Sequence, residues 1–306
     1  MTKVLIATEK PFAKAAVLKI KEVFDKAGYE TVMLEKYTDK SDFIEAIKEV
    51  DGAIIRSDKA TKEVLNAANN LKVIVRAGAG YDNIDLQAAT AKGIVAMNTP
   101  GQNSNAVAEL AIGMMIYQAR KQFNGTAGTE LKCKKIGIHA YGNVGKYVAT
   151  IAKGFGMDVF AFDPFVAKET IEADGVSVVD SAEELYSKCN YISLHIPANE
   201  HTKESIDYNL LMKMPENATL VNTARKEVVC EEGLKKVFAE RTDFNYVSDI
   251  APDCASELKE KYENRCYFTP KKMGAQTAEA NINAGIAAAN QIVNLIEKGD
   301  KTFQVN

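Results

Sequence analysis

Residues 134–164 read KKIGIHAYGNVGKYVATIAKGFGMDVFAFDP, and this stretch decides the fold. Ile136 to Ala140 is an apolar run of strand length, and Tyr141-Gly142-Asn143-Val144-Gly145 turns it into a helix. The turn is a dinucleotide fingerprint whose first glycine is replaced by Ala140. Gly142 would let a pyrophosphate approach the backbone, and Gly145 would let helix and strand pack closely. The helix start offers free N–H groups and the positive end of a dipole to the phosphates. A second strand, DVFAFD, ends in Asp163, 21 residues after Gly142, where a carboxylate binds the hydroxyls of an adenosine ribose. A carboxylate there repels a 2′-phosphate, so the cofactor expected is NAD, not NADP. A glycine-rich turn with no ligand, and Asp163 as a cap before Pro164, is the plainer reading.

Outward from this unit the chain alternates strand and helix in both directions. Upstream come VLIAT (Val4 to Thr8), a helix from Phe12 to Phe24 with Pro11 in its first turn, and TVMLE. Then follow a helix near Phe43 to Ile47, GAIIRS, a helix around Val64 to Ala68, and KVIVRAG. A long apolar helix, Asn105 to Arg120, precedes the second series of strands: KKIGIHA, DVFAFD, YISLHIP, ATLVNTA and NYVSDI. A helix from Ala278 to Ile296 is stopped by Gly299. Continuous β-rich runs separated by helices predict parallel sheets buried on both faces. The fold class is therefore α/β with two lobes.

Length and composition fit this. At 306 residues the chain exceeds the usual size of one core. Apolar residues make up 46%, which excludes a mainly disordered chain. A net charge of −3 argues against a nucleic-acid binder. No apolar run has the length of a transmembrane helix, so no membrane partner is expected. Five scattered cysteines without a CxxC pair, and three scattered histidines, predict reduced thiols in a cytoplasm and no metal site.

IIRSDK, VRAGAGYDNIDL, VAMNTP, AVAEL, AYGNVG, FDP, HIP, NTARKEVV and TPKKMGAQTAEA stand in an order that resembles the D-isomer-specific 2-hydroxyacid dehydrogenases over essentially the whole chain. RSDK and RAGAGYDNID narrow the resemblance to the branch that oxidises D-3-phosphoglycerate, in its short kind without C-terminal regulatory domains. The resemblance implies two Rossmann-like lobes, the N-terminal one completed by the C-terminal helix. Residues 1–97 plus 283–306 would bind substrate, and residues 98–282 would bind NAD. It implies a hydride exchanged between NAD and a phosphorylated 2-hydroxy acid, the first step of phosphorylated serine biosynthesis. It also implies a homodimer, joined through the region of the helix Asn105 to Arg120.

The chemistry needs a grip on a carboxylate and a group that moves a proton at the 2-oxygen. Arg225, at the end of ATLVNTA, is similar to the family arginine that holds carboxylate and carbonyl oxygen, and a bidentate guanidinium suits that geometry. The family histidine stands two residues before the glycine of its T-P-H-x-G motif. Here Thr269-Pro270-Lys271-Lys272-Met273-Gly274 puts Lys272 in that place. To act as a base, a lysine needs burial or a positive neighbour such as Arg225. The family's orienting glutamate is also missing: its position holds Cys254, with Asp253 and Glu257 nearby. In the plainer alternative Lys272 only binds substrate charge and water supplies the proton.

The remaining sites are carried over by position. Asn143 and Val144 would meet the pyrophosphate, with Gly142 and Gly145, and Tyr141 of the same turn would bind the cofactor. His195, Ile196 and Pro197 would pass under the adenosine. Thr223, Ala224, Asp249 and Gly274 would frame the nicotinamide, Asp249 by accepting from its carboxamide. Ala79 stands where many relatives have threonine. Arg56 and Arg76, each at a strand end, would bind the phosphate together with the amide-rich turn at Gly78, with Lys10 and Lys59 as extras. Their plainer reading is interdomain salt bridging. The rival functions are a glyoxylate or hydroxypyruvate reductase, a D-lactate dehydrogenase, and a non-enzymatic NAD-sensing regulator.

Overall fold

A computed structural model describes residues 1–306, which divide into two compact units. Unit 1 is residues 1–103 and 276–306, and unit 2 is residues 104–275. Unit 1 carries β1 (Lys3–Thr8), α1 (Lys14–Lys26), β2 (Glu30–Glu35), α2 (Lys40–Ala46), β3 (Gly52–Ile55), α3 (Lys62–Ala67), β4 (Val73–Arg76), α4 (Leu86–Ala91) and β5 (Val95–Asn98). Its five strands lie in the order β2-β1-β3-β4-β5, all parallel. Val4, Ile6, Ile54 and Val75 point to one apolar layer, and Leu5, Ala7, Ile55 and Ile74 to the other. Both faces are covered, so the strands read as unbroken apolar runs.

Unit 2 begins with α5 (Ser104–Ala119). It continues with β6 (Lys135–His139), α6 (Asn143–Gly154), β7 (Asp158–Phe162), α7 (Lys168–Ala173), β8 (Ser177–Val178), α8 (Ala182–Lys188), β9 (Tyr191–Leu194), α9 (Tyr208–Met212), β10 (Thr219–Asn222), α10 (Glu231–Glu240), β11 (Asn245–Ser248), α11 (Ala255–Tyr262) and β12 (Cys266–Phe268). Its seven parallel strands run β12-β11-β10-β9-β6-β7-β8. Counted from β6, the order is that of the doubly wound dinucleotide-binding fold. The direction of winding reverses between β6 and β9, and ligands of such sheets sit at the C-terminal strand ends beside that switch. The strands β8 and β12, two and three residues long, are too short to read by periodicity, whereas β5 is as long as β3 and β4 and goes unmarked all the same.

The last helix, α12 (Ala278–Lys298), belongs to unit 1. Thr277 caps its start by accepting from the Ala280 amide, and Gly299 ends it with φ of 70°. Ala284, Ala288 and Ile292 pack with Ile20, Phe24, Val73 and Val75. The division of the chain therefore falls at 103/104 and 275/276, not after 97 and 282. A cut at 282 would split α12, whose alanine face works as one surface.

Two expectations for helices change. Pro11 lies outside α1, which starts at Lys14 after Ala13. The carbonyls of Lys10 and Pro11 point instead to the Arg56 guanidinium at 3.0 Å each, which keeps this segment out of the helix. The apolar residues of α5 are accounted for inside unit 2: Ala108, Ala111, Ile112 and Met115 pack with Ile138, Val148 and Val247. The helix's composition therefore does not by itself call for a second chain. No helix is long and apolar enough to cross a membrane.

Candidate active site

The glycine turn follows β6. Ala140, in the place of the first fingerprint glycine, has φ of +79°, a conformation that strains an L-residue by about 1–2 kcal/mol. Glycine is less strained there but loses more chain entropy on folding. Ala140→Gly should therefore raise stability by a net of about 0.5–1 kcal/mol, seen as a higher urea midpoint. Gly145 is dictated by sterics, since a Cβ would stand 2.5 Å from the Ala140 carbonyl oxygen. Gly142 is different, because a Cβ there meets nothing within 4 Å. The protein itself does not demand a glycine at 142, and the open space is what a phosphate approaching the backbone requires. Gly142 also leaves α6 without a side-chain cap, so its first amides face that space. The residues present fit a dinucleotide.

Asp163 sits where the ribose carboxylate is expected, at the end of β7. It also holds the turn: Oδ2 accepts from the Tyr141 amide at 2.7 Å and Oδ1 from the Phe165 amide at 2.8 Å. Tyr141 is placed otherwise than expected. Its side chain is 1% exposed, and its hydroxyl donates to Asp174 at 3.1 Å, so the ring belongs to the core. Asn143 is exposed and Val144 half-buried at the helix start, and Pro197 is exposed after buried Ile196.

His195 is not a proton donor. Burial pushes its pKa down to about 3, helped by His139 nearby, and Nε2 lies 2.9 Å from the Ser193 hydroxyl. His139 is likewise pushed down to about 4 by burial, against an opposing pull from Asp163. Its Nδ1 lies 3.2 Å from the Tyr186 hydroxyl. His201 is exposed.

Arg225 and Lys272 are brought together. Arg225 Nη1 donates to the Ala224 carbonyl at 2.9 Å, and Lys272 Nζ donates to the same oxygen at 3.1 Å. Two cations from segments 47 residues apart in sequence thus converge on one acceptor at the end of β10. Asn222 shapes this turn: its Oδ1 accepts from the Ala224 amide at 2.9 Å, and its Nδ2 donates to the Arg225 carbonyl at 2.9 Å. No motif reading marked Asn222, although an Asn ending a buried strand is a cap signal. Thr223 has a buried hydroxyl without a protein partner. The burial expected for Lys272 is absent, since the side chain is exposed. Neither proposed replacement for the missing glutamate serves it. Asp253 pairs with Lys226, and Glu257 pairs with Lys261 at 2.9 Å. Asp249, expected at a carboxamide, is fully buried and accepts from the Met273 and Gly274 amides.

In unit 1 the strand-end arginines border a cavity of about 630 Å³, lined also by Ser57, Lys59, Asn83 and the acidic Asp82 and Asp85. Arg56 is largely a brace. Besides the two carbonyls of Lys10 and Pro11, it reaches Asn281 of α12 and lies 5.0 Å from the centre of the Phe12 ring. These partners are all in unit 1. Arg76 Nε donates to the Arg56 carbonyl at 3.1 Å. The Arg76 guanidinium lies against Gly78, whose φ of +153° favours glycine. The turn at Gly78 offers fewer amides than expected: its N–H already goes to the Arg76 carbonyl at 2.9 Å. The Ala79 carbonyl accepts from Asn98 at 2.6 Å. Buried Asp58 orders the region by accepting from the Glu9 and Arg56 amides and the Tyr37 hydroxyl.

Known proteins place this geometry. The D-3-phosphoglycerate dehydrogenase of Methanocaldococcus jannaschii is 36% identical over 83% of this chain and 51% of its own. The hydroxypyruvate reductase of Thermotoga maritima is 34% identical over 86% of this chain and 90% of its own. The chain spans about half the length of the first of these and of other D-3-phosphoglycerate dehydrogenases that it matches. A crystal structure of NAD+-bound 3-phosphoglycerate dehydrogenase from Entamoeba histolytica superposes with a TM-score of 0.89. It is 49% identical, covering 100% of this chain and 98% of that one. A model of the family described as D-isomer specific 2-hydroxyacid dehydrogenase, catalytic domain, matches residues 10–306. Because that match runs through both units, the chain belongs as a whole to the D-isomer specific 2-hydroxyacid dehydrogenase family.

Proposed function

We propose that the chain oxidises D-3-phosphoglycerate to 3-phosphohydroxypyruvate with NAD, and runs the reverse reduction, as the first step of phosphorylated serine biosynthesis. The observation that carries this is the convergence of Arg225 and Lys272 on the Ala224 carbonyl, at a strand end of a dinucleotide-binding sheet. NAD supplies the hydride acceptor when bound. Gly142, the first amides of α6 and Asp163 hold it, with Thr223, Ala224 and Gly274 at its reactive end. Arg225 orients the substrate carboxylate and polarises the 2-oxygen. Lys272, as the amine, takes the proton of the 2-hydroxyl and returns it in the reverse direction. Arg76 and Lys59 receive the phosphate, with Arg56 contributing the N–H groups its bracing leaves over.

The names of the relatives support the substrate. A second reading, reduction of unphosphorylated hydroxypyruvate, is favoured by the use of Arg56 as a brace. Reduction of NAD+ with D-3-phosphoglycerate, D-glycerate and D-lactate in parallel separates them. Turnover of the phosphorylated acid alone is expected. Activity only on an unphosphorylated acid replaces the substrate, and silence on all three points to an NAD sensor. The proposal includes a cytoplasmic setting, supported by five unpaired cysteines, and a homodimer. Exposed Phe123, just beyond α5, is 65% open and suits such a contact. Light scattering at micromolar concentration should give twice the chain mass.

A further inference from the structure

Asp249 is a fully buried carboxylate whose contacts lead to one loop. Oδ1 accepts from the Met273 amide at 2.9 Å and lies 3.0 Å from the Thr269 hydroxyl. Oδ2 accepts from the Gly274 amide at 2.8 Å. The same hydroxyl lies 2.8 Å from the Asp249 carbonyl oxygen and 2.9 Å from that of Lys271. The loop is thus fastened on both sides of Lys272 to a single side chain. At Gly274 a Cβ would come within 3.0 Å of Oδ2, so the backbone rests directly on the carboxylate. Asp249 is in turn fixed to β10, its amide donating to the Asn222 carbonyl at 2.9 Å. That strand leads straight into Ala224 and Arg225. Amide-to-carboxylate bonds are charge-assisted and roughly twice as strong as neutral ones.

We propose that Asp249 is the positioning residue of Lys272. Its carboxylate refers the 269–274 loop to the end of β10, so that Nζ meets the Ala224 carbonyl beside Arg225. The proposal rests on the reading of Lys272 as the acid–base group.

The first test uses the unaltered protein. Hydrogen exchange of the Met273 and Gly274 amides should be slow, and should stay slow when NAD is added. Loss of protection with NAD would mean that the carboxylate leaves the loop for the cofactor, and would overturn the proposal. In the second test, Asp249→Asn keeps the shape but cannot accept at both ends. Turnover should fall about 100-fold, with NAD affinity within about 3-fold of the parent and the limb of the pH profile assigned to Lys272 displaced. A large loss of NAD affinity with turnover retained at saturation overturns it. If Asp249→Asn does not fold, Thr269→Val should lower turnover about 10-fold with NAD affinity unchanged, and a loss of affinity instead overturns the proposal. Lys272→Ala with parental turnover overturns the acid–base reading and the catalytic meaning of the positioning. Lost amide protection beside an inactive Lys272→Ala overturns the positioning alone, so the two failures are distinguishable.

Discussion

Replacing Lys272 with alanine should lower turnover by about 10²- to 10⁴-fold, the range a positioned acid–base group contributes. Lys272 and Arg225 donate to one carbonyl oxygen, so the amine stands beside the guanidinium proposed to hold the 2-oxygen. Neither His139 nor His195 can take over, since His139 is buried and His195 half-buried, and both are held neutral at pH 7. The affinity for NAD should change little, because the proposed action of Lys272 is on the substrate oxygen. The pH dependence of turnover is the sharper readout, since the ionisation should be lost in Lys272→Ala and in Lys272→Arg alike, a guanidinium staying protonated throughout the working range. Parental turnover with the same pH profile would leave Lys272 as a binding charge and give the proton to water.

Unit 2 should lose about 4 kcal/mol of stability between pH 7 and pH 5, and two histidines account for it. In the unfolded chain both protonate near 6.5. In the folded chain burial holds His139 down to about 4 and His195 down to about 3. Between these limits the unfolded state binds more protons, so stability falls as pH falls below about 6.5. By pH 5 each histidine has cost about 2 kcal/mol, at about 1.4 kcal/mol per pH unit. Carboxylates such as Asp243, held below the usual range by Arg241, contribute in the same direction only at lower pH, as the unfolded carboxyls begin to protonate. The window from 6.5 to 5 therefore belongs to the histidines. Urea midpoints at pH 7 and 5 measure the loss, and His195→Gln should remove about half of it. An unchanged midpoint would mean that water or a carboxylate reaches the rings.

The readable parts of this protein are those whose meaning is local. Gly142, Gly145 and Asp163 announce a turn and a strand end within thirty residues, and Arg225 follows the short buried strand Thr219–Asn222. Lys272 is found by counting along one motif. What escapes depends on segments that meet only in the folded chain. Arg56 braces Asn281, which is 225 positions away, and the Pro11 segment 45 positions away, so a strand-end arginine looks more available than it is. Tyr141 stands inside the fingerprint but turns to Asp174, 33 residues on. The Asp249 oxygens are claimed by amides 24 and 25 residues later. In each case the type of residue and its place on a strand end are legible, and its hydrogen-bond partner is not.

Helix α12 has a consequence for biosynthesis. The sheet of unit 1 emerges from the ribosome first, yet one of its faces is covered by residues 278–298. At roughly 5–20 residues per second, an interval on the order of ten to forty seconds separates β5 from that helix. Throughout it Val73, Val75 and Ile54 lack their lid, and all of unit 2 is made before that lid appears. The nascent chain therefore completes its middle before its beginning, and the N-terminal sheet is the part for which a chaperone has most to shield.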